Sequence, residues 1–229
     1  MFHVKRSTCL VIVFLTFFSL TTTAQGHISL QDKEFIHDHV MKTEIQEALD
    51  TLKAYQSLSE IEKEAVYWIN FVRLYPKQYN TEIVKPFLEQ FPEVKSSYAQ
   101  SLTEQLNNIS PASLVLPVIK LNNIARKHAG DLGNTGHHIS HNSSSGTSFQ
   151  KRMNDGGIFS CISENIYEGK PRPLQTILFL LIDHGVPNLG HRKNILDKNM
   201  HSIGVAYHPI KGKKEMYYAV QNFYCGDPL

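Results

Sequence analysis

The sequence predicts an α+β fold: a three-layer α–β–α sandwich around a small, mainly antiparallel sheet, with an N-terminal helical extension. Three observations predict it. Several segments repeat apolar residues at helical spacing, residues 118–132 most clearly. The chain closes on "SIGVAYHP" and "MYYAVQNFY", joined by the glycine-containing "IKGKKE", which reads as a β-hairpin. The segment beginning at Pro173 is apolar almost all round, as a helix lying on a sheet would be.

The first element reads as a leader rather than as part of the fold. A basic start, "MFHVKR", precedes an apolar core and the small residues "TTTAQ". That order predicts a secretory signal peptide over 1–24, cleaved between Ala24 and Gln25. The alternative is an uncleaved anchor, but the apolar run is short for a membrane span. Cleavage removes Lys5 and Arg6 and no acid, taking the formal charge from +2 to zero. No basic stripe argues for nucleic acid, and no stable membrane span follows the leader. The reading is a secreted protein, extracellular or periplasmic, with 25–58 as a helical extension and 59–229 as the main domain.

Residues 30–55 carry Phe35, Ile36, Val40, Ile45, Leu49 and Leu52, with gaps of three to five from Ile36 onward, which predicts an amphipathic helix. Ser59 and Glu62 then form a capping box for a helix whose apolar face is Ile61, Ala65, Trp68, Ile69 and Val72. Asn70 and Arg73 lie on one side of it, either facing solvent or forming a buried hydrogen-bonding pair. Residues 84–108 read as one or two short helices around Pro92, and "NNISPASLVLP" as a connector. The 118–132 helix carries His128 on its apolar stripe, as a core histidine or a ligand, with Gly133 suited to the C′ position. "GNTGHHISHNSSSGTS" is a polar loop. A short helix from Phe149, a strand at 161–167 with Glu164, and a helix from Pro173 to about His184, ended by Gly185, complete the order.

The residues able to carry chemistry fall in loops or at element ends: His137, His138, His141, Glu164, Asp183 and His191. Imidazoles and carboxylates converging there would suit Zn²⁺ or another divalent cation, or would move protons. No HExxH pattern supports the metal, and no strand–turn–helix elbow frames Ser140, Ser143, Ser144 or Ser145 as a nucleophile. Cys161 and Cys225 form a possible exported disulfide; Cys161 is alternatively a thiol beside Glu164.

Taken in order, "NFVR", "LNNIARKHAGDLG", "ISHNSSSG" with "RM" and "GG", "SENIYEG" and "GHRKNIL" with "IGVAY" resemble the motifs of the CAP superfamily. That superfamily comprises the cysteine-rich secretory proteins, antigen 5 and plant pathogenesis-related proteins, and has many secreted bacterial relatives. The resemblance covers about 59–224 and leaves the extension outside. It implies an SCP-type domain with a cleft of two histidines and two acids, here His141, Glu164, Asp183 and His191, with His141 and His191 as the metal ligands. It implies structural roles for Asn70, Arg73, Asn165 and Arg192, with Arg192 turned away from the cleft toward an acid. It implies a binding module for a small or lipid ligand, or an extracellular protein, ahead of a hydrolase with Glu164 as general base. The same frame leaves His191 the alternative of bonding Glu164 and simply holding two loops together.

Overall fold

The computed structural model describes residue 30 and residues 33–226. The leader expected over 1–24 and its expected cleavage point lie outside the described residues. Four strands, β1 (Leu116–Pro117), β2 (Ile162–Gly169), β3 (Ser202–Pro209) and β4 (Tyr217–Tyr224), make one sheet in the order β1–β3–β4–β2. β1 pairs with β3 in parallel; β3 with β4 and β4 with β2 are antiparallel. The hairpin expected from "SIGVAYHP" and "MYYAVQNFY" is therefore the centre of the sheet. The two-residue β1, inside the supposed connector, is too short to leave a periodic signal.

Alternation along the strands builds the three layers. Ala206, Val220 and Ile166 face a helix, α7 (Ile119–Thr135), through its Ala125, Ala129 and Leu132. Ile203, Val205 and Phe223 face the other way, into the main core with α3 (Glu60–Leu74) and α9 (Pro173–Ile182). Gly204 sets the spacing on the first face, because a Cβ there would overlap the backbone of Leu121 on α7.

α7 runs past the expected stop. Gly133 lies inside it, where a Cβ would come within 2.5 Å of the Pro209 carbonyl. That glycine serves close helix–strand approach, and Gly136, at φ 64°, supplies the left-handed cap. α3 starts as read: both halves of the Ser59–Glu62 capping box form. Its Asn70 and Arg73 are buried but do not bond each other. Asn70 bonds Val66 and Val115, while Arg73 donates to the carbonyls of Ser113, Ile195, Asp197 and Met200.

The N-terminal helix starts later than its spacing suggests. Residues 33–42 are extended, and only then do α1 (Thr43–Asp50) and α2 (Lys53–Gln56) form. Side chains from the body hold the extended strap. Gln175 accepts from the Phe35 amide and donates to the Lys33 carbonyl, and the Tyr67 hydroxyl accepts from the Lys42 amide. His39 lies between Glu82 and the Tyr67 hydroxyl, at 2.8 and 2.7 Å. Phe35 enters the core edge-on to Phe87, so Leu30, Phe35, Ile45 and Leu49 share one core with α3. Between α3 and β1 the chain makes α4 (Pro76–Tyr79), a π-helical turn (Asn80–Val84), α5 (Lys85–Gln90), a 3₁₀ turn (Pro92–Val94) and α6 (Ser97–Asn108).

Candidate functional site

β2 is an edge strand, and its alternation sends Glu164 and Asn165 to opposite faces. Glu164 faces the α7 layer, beside its cross-strand partner Asn222. Its carboxylate is 1% exposed and fully engaged. Oε1 meets His141 Nδ1 at 2.9 Å, and Oε2 accepts from Arg152 Nη2 at 2.7 Å. The Asn222 amide nitrogen, with the amide turned to satisfy both its ends, adds a contact at 3.1 Å to Oε2. Arg152 comes from α8 (Phe149–Asp155), where Ser148 caps the helix. His141 stands on the polar loop with its ring 56% exposed.

The second pair is built by the hook that follows α9. α9 ends at Ile182, earlier than Gly185, because Asp183 takes a left-handed conformation at φ 56°. Leu189 does the same at φ 52°, and "GHRKNIL" then forms α10 (Gly190–Leu196). Gly185 has a positive φ as expected, whereas Gly190 does not. The hook brings Asp183 back onto the start of α10. Asp183 Oδ1 meets His191 Nδ1 at 2.7 Å, and Oδ2 accepts the amides of His191 and Arg192 at 3.0 and 3.3 Å. His191 bonds Asp183, not Glu164.

A run of amides ties the two pairs to one strand. Asn165 donates to the His191 carbonyl and to Gln221 across the sheet, both at 3.2 Å. Asn194 donates to Asn165 at 2.8 Å and to the Glu164 carbonyl at 3.4 Å. α10 thus closes on β2, and the pairs flank this strand from its two faces. Arg192 turns away, but toward carbonyls rather than an acid. It donates to Leu181, Ile182 and Tyr98 and to the Ser101 hydroxyl.

Each imidazole has Nδ1 committed to a carboxylate, which fixes the ring and leaves Nε2 as its remaining donor atom. The acids orient the rings. Among the described residues, no group of three or more His, Cys, Asp and Glu side chains could hold a metal ion. Each free Nε2 is a donor of the kind a divalent cation takes, but these side chains form no three- or four-ligand shell among the described residues.

The other histidines stand apart from these pairs. His128 is buried and bonds the Ser140 carbonyl at 2.9 Å; burial holds its pKa below the ordinary value. His137 and His138 pack on each other, 4.1 Å between ring centroids. Cys161 and Cys225 are bridged, Cα to Cα 5.7 Å, joining the start of β2 to the end of β4. The sequence reading missed Arg152, Asn194 and Asn222 as members of the site. Asn194 carried a signal, three residues after His191 on what proves to be a helix; Asn222 carried one only once paired opposite Glu164.

Residues 119–223 match the model of the CAP: Cysteine-rich secretory protein family. No curated protein is significantly similar to the chain. Among solved structures, an extracellular protein containing an SCP domain from Bacillus anthracis is 18% identical, with a TM-score of 0.39 over 66% of this chain and 40% of that one. An outer surface protein from Borrelia burgdorferi is 18% identical, with a TM-score of 0.40 over 62% and 96% of the two chains. A cysteine-rich secretory protein from Staphylococcus aureus is 12% identical, with a TM-score of 0.33 over 59% and 40%. The chain thus spans about two fifths of the length of the first and third of these proteins.

Proposed function

This chain carries a CAP-family domain over residues 119–223, and from that premise we propose a secreted binding protein that takes up a divalent cation, zinc first, at His141 and His191. One observation carries the reading: both rings are held through Nδ1 by buried carboxylates, so each offers Nε2. The leader over 1–24 is the basis for export. Bound there, the cation would act as a Lewis acid toward an oxygen of a small extracellular ligand. Hydrolysis with Glu164 as general base has less support. Both of its oxygens already accept hydrogen bonds, one from a guanidinium, so it is not poised to take a proton from water.

Zinc titration by calorimetry tests the proposal. The wild-type chain binds one equivalent, and His141→Ala and His191→Ala each weaken binding. Glu164→Gln and Asp183→Asn lower affinity by about 10- to 100-fold, because they release a ring without removing a ligand. Stoichiometric zinc retained by the double histidine variant would reject the site.

A further inference from the structure

The geometry points to Arg152 as the positioning residue of the His141 imidazole. The inference rests on the reading of that ring as a ligand, but it is tested without a metal. One guanidinium holds every part that fixes the ring. Nη2 donates to Glu164 Oε2 at 2.7 Å, on the carboxylate whose other oxygen meets His141 Nδ1. Nη1 donates to the His141 carbonyl at 2.7 Å and to the Thr147 carbonyl at 3.3 Å. The loop that carries the ring is therefore pinned at two points, His141 and Thr147, to the cation that pairs with the ring's carboxylate. The guanidinium also lies over the Phe149 ring, 5.7 Å from its centroid, which limits its own movement.

The electrostatics make this more than a brace. Glu164 is almost fully buried, and an ionised carboxylate in such a place needs a counter-charge. His141 is more than half exposed and, as a neutral ligand, cannot be that charge. Among the described residues Arg152 is the cation that reaches it, its side chain 10% exposed. Its hydrogen bond occupies Oε2 and leaves Oε1 turned to His141, and an acceptor at Nδ1 leaves the lone pair on Nε2. The second pair has no such dependence, because Asp183 is held by two backbone amides. Lysine cannot substitute, since one ammonium cannot span a carboxylate and two carbonyls as the planar fork does.

The test is the ¹⁵N NMR signature of the histidine side chains in wild type, Arg152→Ala and Arg152→Lys at about pH 8, above the ordinary imidazole pKa. Wild type shows His141 and His191 both as the Nδ1–H tautomer. In each variant His141 loses that signature while His191 keeps it. Where zinc binds wild type, its affinity falls by about 10- to 100-fold in step. If zinc never binds, the tautomer readout still judges Arg152, so the two proposals fail separately. An unchanged Nδ1–H signature at His141 in Arg152→Ala overturns the inference. So does loss of both signatures in both variants, which would assign Arg152 to the whole fold.

Discussion

Four carbonyls separated by up to 87 residues end on the one guanidinium of Arg73. Burial brings its pKa down to about 10, so it remains a cation and a strong donor at neutral pH. The helix period placed Asn70 and Arg73 on one side but could not tell solvent from a clamp, because the acceptors outside the helix lie at least 40 residues away. His128 was legible as a core residue from its place on an apolar stripe, and it carries a pH consequence. Burial holds it neutral, so below its ordinary value of 6.5 the unfolded chain binds the proton that the fold resists. Stability from this group is present above pH 6.5 and is lost as pH falls. His37, also lowered chiefly by burial, acts in the same direction. Unfolding free energies from urea titrations between about pH 7.5 and 5 should therefore fall, by at most about 1.4 kcal/mol per pH unit for each proton taken up. His128→Gln should flatten that slope. An identical slope in the variant would remove His128 from the account.

At the level of elements, the sheet succeeded or failed by strand length. β2, β3 and β4 are eight residues each and announced themselves, while β1 has two and did not. α7 was clear in its body and misjudged at its end, since a glycine that admits Pro209 and a glycine that stops a helix look alike in one dimension. The strap failed for a different reason. Its Phe35 and His39 turn inward as every second residue does in an extended chain, but intervening Ile36 and Val40 are exposed and mimic a helical spacing. The approach of α7 to the sheet depends on Gly204, where a methyl group would meet backbone rather than a movable side chain. Gly204→Ala should therefore destabilise the protein by about 1–3 kcal/mol and disturb the Asn222 amide beside Glu164. Thermal unfolding and the Asn222 side-chain NMR signals read both effects, and a wild-type melting curve would contradict the packing argument.

Over the whole molecule, ordered motifs made the domain legible, while the closing contacts were not. Asp183 and Leu189 adopt left-handed backbone without being glycine, so no residue type advertised the hook that joins Asp183 to His191. The bridge between Cys161 and Cys225 closes a loop 64 residues long that contains β2, α9, α10, β3 and β4. Removing it in a Cys161→Ser, Cys225→Ser variant should lower unfolding free energy by about 2–4 kcal/mol. Equal urea midpoints for the variant and the oxidised wild type would contradict that contribution. The two faces of β2 have an evolutionary corollary. Because neighbouring side chains leave the strand on opposite sides, deleting a single residue near its start would slide the acid to where the amide belongs and the amide to where the acid belongs. The His141 imidazole would lose Glu164, and the His191 carbonyl would lose Asn165, in one event. Relatives that keep both pairs should vary in length freely through the serine-rich loop and not at all between Cys161 and Asn165.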